Sequence, residues 1–151
     1  MRAVIQRVSE ARVAIDGKEH AGIGPGMLVL LGVEGRDSLE DAEWLARKIS
    51  TLRIFDDAEG LMNLSLNEME GEVLVISQFT LHAKTKKGTR PSYARAARPE
   101  QAVPLYEAFI EVLDGHLSTQ VLSGVFGANM QVGLINDGPV TLIIDTQQKD
   151  L

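Results

Sequence analysis

VLSGVFGANMQVGLINDGPVTLIIDT, Val121–Thr146, sets three short β-type runs around two glycine-bearing breaks, Gly127-Ala128-Asn129 and Asp137-Gly138. Branched residues dominate and no helical spacing of apolar positions develops, so this quarter of the chain predicts strands joined by turns. Pro139 lacks the N–H that a sheet ladder requires. It therefore belongs at an edge, a turn or a strand start. A tight hairpin turn at Gly138-Pro139 is the plain structural reading.

Outward from this stretch, the rest of the chain adds strands and two helices. Arg2–Ser9 alternates imperfectly, and Val13–Ile15 runs into Asp16-Gly17 ahead of Lys18–Ile23, which predicts an N-terminal hairpin. Met27–Val33 is a continuous apolar run of strand length, the pattern of a buried central strand. Ser38 followed by Asp41 resembles a capping box, and Leu39, Ala42, Leu45, Ala46, Ile49 and Leu52 share one helical face, predicting a helix over roughly 39–52. EVLVISQFTL, Glu72–Leu81, predicts a strand. Ala102, Leu105, Tyr106, Phe109, Ile110 and Leu113 predict a second helix over roughly 101–114, with Pro104 near its first turn and Gly115 at its C-cap. Two helices among about seven strands, without regular βαβ alternation, point to an α+β fold with a largely antiparallel, barrel-like sheet. At 151 residues, the chain is expected to form one domain, 1–151.

Composition is that of an ordinary globular protein, 44% hydrophobic and 24% charged, which excludes fibrous and disordered classes. No apolar run approaches the roughly 20 residues of a membrane helix, and MRAVIQRVSEARV lacks a signal-peptide core, so no membrane association and a cytoplasmic location are expected. With no cysteine, disulfides, thiolate zinc sites and a cysteine nucleophile are excluded. The net charge of -6 hides a local excess. Between Gln78 and Pro99 lie Lys84, Lys86, Lys87, Arg90, Arg95 and Arg98 with no acid among them. Such a run is either a solvated loop or a phosphate contact.

Conventional catalytic sets are missing. His20, His82 and His116 stand apart without metal-ligand spacing, no GxSxG elbow occurs, and no glycine loop completes a nucleotide-binding motif. No metal and no cofactor are expected. What stands out is Ser77, Gln78 and Thr80 at the end of an apolar strand, where backbone N–H groups can leave the ladder and face a ligand.

SQFTL at Ser77–Leu81 and NDGPVT at Asn136–Thr141 resemble the two signature motifs of the D-aminoacyl-tRNA deacylase family. MRAVIQRV, KKGTRPSYARAARP and FGANMQV at Phe126–Val132 are similar to that family too, in the same order, so the resemblance spans essentially the whole chain. It implies hydrolysis of the ester joining a D-amino acid to tRNA, with glycyl-tRNA also cleaved, for example when tRNA for alanine is mischarged, and L-aminoacyl-tRNA spared. That is a proofreading task in translation. It implies a homodimer in which a cis Gly138-Pro139 pair of one subunit enters the active site of the other, supported by Arg7 and Asn136. Ser77, Gln78, Phe79 and Thr80 take the catalytic positions by this resemblance, Met130 joins Gly138 and Pro139 as a substrate contact, and Lys86, Lys87 and Arg90 meet the tRNA acceptor end; no DNA partner is expected.

Two mechanisms remain open at this level. In one, backbone N–H groups around Phe79 and Thr80 serve an already activated ester, with the ribose 2'-hydroxyl helping to activate water. In the other, Thr80 Oγ is a nucleophile and needs a neighbouring base, for which a continuous strand would offer His82 on the same face. A non-catalytic RNA-binding dimer and a small-ester hydrolase using Thr or Ser are the rival functions.

Overall fold

The computed structural model describes residues 1–151. Strand β1, Arg2–Ile15, is the spine of the molecule. It pairs antiparallel with β2, Lys18–Ile23, through the Asp16-Gly17 turn, and with β3, Gly26–Gly32, along its first half. On its other edge it pairs along most of its length with the last strand.

Helix α1, Leu39–Ser50, begins where expected. Asp41 Oδ2 accepts the Ser38 backbone N–H at 2.9 Å, closing the capping box, and Ala42, Leu45, Ala46 and Ile49 face inward. A two-stranded hairpin that the sequence reading missed, β4 at Phe55–Asp56 and β5 at Met62–Leu64, follows it. Strand β6, Glu72–Ser77, then pairs parallel with β3. Helix α2, Pro99–His116, leads to β7, Val121–Ser123, which pairs parallel with β6. Strand β8, Met130–Asp145, closes the sheet against β1.

Several boundaries differ from the sequence reading, each for a physical reason. The strand at Glu72 stops at Ser77, and Phe79–His82 form one 3-10 turn, because the chain must leave the ladder before the basic loop. The three short strands of 121–146 are two. Asp137-Gly138 does not end a strand; pairing jumps from Gln6↔Thr141 to Val8↔Asn136, so residues 137–140 bulge out of an otherwise continuous β8. Helix α2 starts with Pro99 at N1 and carries Pro104 in its interior, and it runs past Gly115 to cap at Leu117. Two helix-bearing crossovers, β3 to β6 and β6 to β7, do exist, which explains the unbroken apolar runs of β3 and β6: parallel strands are covered on both faces.

The core lies on both sides of the sheet. On one side α1 and α2 cover Ala3, Ile5, Met27, Val29, Leu31, Val73 and Val75. Phe109 is fully buried there, where truncation to Ala costs about 3–5 kcal/mol. On the other side the far ends of β1 and β8 curl back, so Val13 and Ile23 with Met130, Val132 and Leu134 pack on Leu28, Leu74 and Ile76. This curl makes the sheet nearly a barrel and brings the start of β8 to the end of β6.

Candidate active site

At that meeting point is a cavity of about 290 Å³. Its walls are the end of β6 and the turn after it (Ile76, Ser77, Gln78, Phe79), the link from β7 into β8 (Phe126 to Met130), and Leu31, Val33, Ala97 and Ala102. Ser77, Gln78, Phe79 and Met130 are thus brought together. No Asp, Glu, His, Lys or Arg lines the cavity.

The turn is presented by tight backbone packing. Gln78 N–H donates to Leu31 O at 2.8 Å, anchoring the chain as it leaves β6. Gly32 lets the turn approach: a Cβ there would lie 2.9 Å from Gln78 O and 3.1 Å from the His82 ring. The first N–H to close the turn is that of Leu81, onto Gln78 O at 3.2 Å. The N–H groups of Phe79 and Thr80 consequently have no acceptor inside the turn, as at any helix start. Phe79 is 55% exposed and meets Tyr93 edge-on, with ring centroids 5.1 Å apart.

Thr80 does not line the cavity, and its Oγ1 accepts a hydrogen bond from Gln78 Nε2. His82 is 1% exposed with neither ring nitrogen bonded. The expected pairing of residues 80 and 82 on one strand face does not form because the strand has already ended.

The opposite wall is equally built. Gly124 N–H donates to Val75 O at 3.0 Å, and the Phe126 ring packs edge-on against Tyr106 at 5.7 Å. Tyr106 donates its hydroxyl proton to Val75 O at 3.2 Å, and burial, only partly opposed by Ser123, pushes its pKa up to about 12. It stays a protonated structural group. Leu31, Val33, Ala97, Ala102 and Phe126 escaped the sequence reading as site residues; Leu31 and Val33 were marked only by the apolar Met27–Val33 run, Ala97 and Phe126 by the KKGTRPSYARAARP and FGANMQV stretches, and Ala102 by the second helical stripe.

Gly138 and Pro139 are exposed and do not line the cavity of their own chain. Their peptide bond is cis. Arg7 and Asn136 hold this bulge. Arg7 Nε donates to Asp137 O at 2.8 Å, and its Nη1 donates to Ile54 O at 2.8 Å and to Asp56 Oδ1 at 3.2 Å. Val140 N–H donates to Asn136 Oδ1 at 2.8 Å, while Asn136 Nδ2 donates to Thr141 Oγ1 at 2.9 Å. Arg7, 7% exposed, is therefore a bracket for the turn.

Lys86, Lys87 and Arg90 form a third group, exposed and without acidic partners, on a loop closed by paired backbone bonds between Lys84 and Ser92. No helix is long and apolar enough to cross a membrane.

A concave, largely apolar cavity with a few polar groups at its wall is of the class that takes small ligands, and the bracketed Gly-Pro bulge stands outside it in the same chain. Comparison with known proteins gives this class its family. Residues 4–145 match the model of the D-Tyr-tRNA(Tyr) deacylase family. The chain is 59% identical over 150 residues to a D-aminoacyl-tRNA deacylase of Porphyromonas gingivalis, covering 99% of this chain and 100% of that one. It is 57% identical to one of Akkermansia muciniphila over the same shares. A solved structure titled c-Myc DNA Unwinding Element Binding Protein superimposes with a TM-score of 0.91 at 39% identity, covering 96% of this chain and 98% of that chain. A probable eukaryotic D-amino acid tRNA deacylase shares the fold, with a TM-score of 0.80 at 19% identity. The chain belongs to the D-Tyr-tRNA deacylase family.

Proposed function

We infer that this protein is a hydrolase of D-aminoacyl-tRNA. Water attacks the ester carbonyl carbon, the bond to the ribose oxygen breaks, that oxygen takes a proton, and a free D-amino acid and reusable tRNA leave. The observation that carries the reading is the cavity whose wall is the Ser77–Phe79 turn, with no ionisable side chain around it. An aminoacyl ester is activated already, so orientation and oxyanion stabilisation suffice. Phe79 and Thr80 N–H serve the developing oxyanion, and the neighbouring ribose 2'-hydroxyl helps activate water. On this reading Thr80 serves through its backbone N–H rather than as the nucleophile; in support, its Oγ1 accepts a hydrogen bond from Gln78 and neither His82 ring nitrogen is bonded to it.

The protein acts as a homodimer in which the Gly138–Pro139 bulge of one subunit completes the cavity of the other. Two observations support this. The bulge is held by Arg7 and Asn136 yet does not line its own cavity, and Ile135 and Ile143 on β8, flanking it, are 54% and 52% exposed. Main-chain carbonyls of the bulge fix the α-amino group and leave no room for a side chain pointing the L way. Discrimination is by repulsion, so glycine passes along with D-residues. Met130 contacts the substrate from the other wall. Lys86, Lys87 and Arg90 take phosphates near the tRNA acceptor end, with little base readout. The task is proofreading in the cytoplasm.

Incubation with D-Tyr-tRNA, Gly-tRNA and L-Tyr-tRNA tests the reading. Release of tyrosine from the D-ester and glycine from its ester, with the L-ester intact, is the expected result. Binding without release favours a non-catalytic RNA-binding dimer, and release from small tRNA-free esters with sensitivity to hydroxyl-directed inhibitors favours a Thr or Ser hydrolase. Either outcome overturns the reading.

A further inference from the structure

We propose that the Glu34–Arg95 ion pair is a positioning device that fixes the basic Lys84–Ser92 loop against the mouth of the cavity, so that tRNA phosphates and the ester are held at one set separation. The inference rests on the reading that Lys86, Lys87 and Arg90 contact tRNA.

Of the six basic residues between Gln78 and Pro99, Arg95 alone has an acidic partner. Its Nε donates to Glu34 Oε1 at 2.8 Å, and Arg36 Nε donates to the other carboxylate oxygen at 3.2 Å. Glu34 is 6% exposed. Burial pushes its carboxyl up, but hydrogen bonds from Arg95 and Arg36 outweigh that and hold it below the usual range. A buried carboxylate two residues beyond the end of β3 thus binds a cation borrowed from an otherwise free basic segment.

The short segment carrying Arg95 joins three parts. Upstream, Lys84 and Ser92 exchange backbone bonds at 2.8 and 3.0 Å, closing the basic loop. Tyr93 then rests on Phe79, a cavity wall. Downstream, Gly35 N–H donates to Arg95 O at 3.1 Å and Ala97 N–H to Val33 O at 2.9 Å, and both Ala97 and Val33 line the cavity. The backbone bonds secure the wall. The ion pair secures the direction in which the loop leaves it.

The test compares Arg95→Ala and Arg95→Lys with the wild-type enzyme on D-Tyr-tRNA and on 3'-D-tyrosyl-adenosine, which lacks the phosphates. Arg95→Ala is expected to raise KM for D-Tyr-tRNA between about ten- and a hundredfold, the scale on which displacement of a held group is felt. Its kcat and its hydrolysis of the short ester stay at wild-type values. Arg95→Lys, which keeps the charge, regains most of the affinity. The dependence of log affinity on log salt keeps its slope in Arg95→Ala because the phosphate contacts still form once bound. A slope reduced by about one would make Arg95 itself a phosphate contact and overturn the proposal. So would an unchanged KM, or equal losses on both substrates. Neutralising Lys86, Lys87 and Arg90 together separates the layers: if that variant binds tRNA as wild type does, the phosphate reading fails and the proposal with it, whereas a weakened triple variant beside an unaffected Arg95→Ala refutes the positioning role alone.

Discussion

Gly138→Ala puts one methyl group at the centre of the bulge. Gly138 has φ +144, a conformation that L side chains rarely adopt, and an added Cβ would lie 2.8 Å from Val140 Cγ2, 2.9 Å from Val140 N and 3.2 Å from Arg7 Nη2. Val140 cannot give way freely, since its N–H is held by Asn136 Oδ1. Forcing a non-glycine residue into such a backbone region costs about 1–3 kcal/mol. For a domain of this size, that converts to a fall in Tm of roughly 2–12 °C. If the chain relaxes instead, the bulge moves by something near 1 Å, and a displacement of that order in a site element costs on the order of a hundredfold in rate. The assay pairs a thermal melt with turnover of D-Tyr-tRNA. Loss of turnover with a folded protein and a modest fall in Tm is expected. Wild-type Tm together with wild-type turnover would refute both the geometric and the functional reasoning.

Other consequences follow from neighbouring contacts. Arg7→Ala removes the donors to Asp137 O and Ile54 O, charged hydrogen bonds worth about 1.5–3 kcal/mol each; D-Tyr-tRNA turnover should fall with stability, and an active, stable Arg7→Ala protein would show that the bulge needs no bracket. Thr80→Ala loses a single hydrogen bond from Gln78, and hydrolysis should stay within roughly tenfold of wild type; near-complete loss in a folded dimer would restore the threonine nucleophile. Acid weakens the fold in a defined direction. Burial pushes the Asp145 carboxyl up, but the Gln147 N–H and Arg2 outweigh it, and Glu34 is likewise lowered by Arg95 and Arg36. As pH drops the unfolded chain binds protons first, so this stabilisation is complete above about pH 4.5 and is lost as pH falls through the depressed folded values. Urea midpoints at pH 7 and at acid pH check this; equal midpoints contradict it.

How much of this was legible in the sequence depended on how local each signal was. Helix α1 announces itself through Ser38, Asp41 and a clean apolar stripe, and the first hairpin through Asp16-Gly17, because caps and turns are decided by a few adjacent residues. Strand β8 was misread for the opposite reason. Asp137-Gly138 is a genuine turn signal, yet pairing with β1 resumes on its far side, and only the partner strand reveals that the break is a bulge. The parallel crossovers were hidden by the three-residue β7 and by the small β4–β5 hairpin. At the site, Ser77, Gln78, Phe79 and Met130 were marked by motif resemblance. Arg7 was named by the same resemblance, although its contact with Asp137 crosses 130 residues and leaves no mark in local pattern; the Glu34–Arg95 pair, spanning 61, was signalled by neither. The run of six basic residues concealed the one that is already neutralised.

The central claim is that main chain from one copy completes the site of another. Co-expression of two differently tagged inactive variants tests it: Gly138→Ala, with an intact cavity, and Ala128→Trp, with an intact bulge and a filled cavity. Random assembly gives half mixed dimers, each with one complete site of two, so about a quarter of wild-type activity should return. A mixture as inactive as either variant alone would contradict the account.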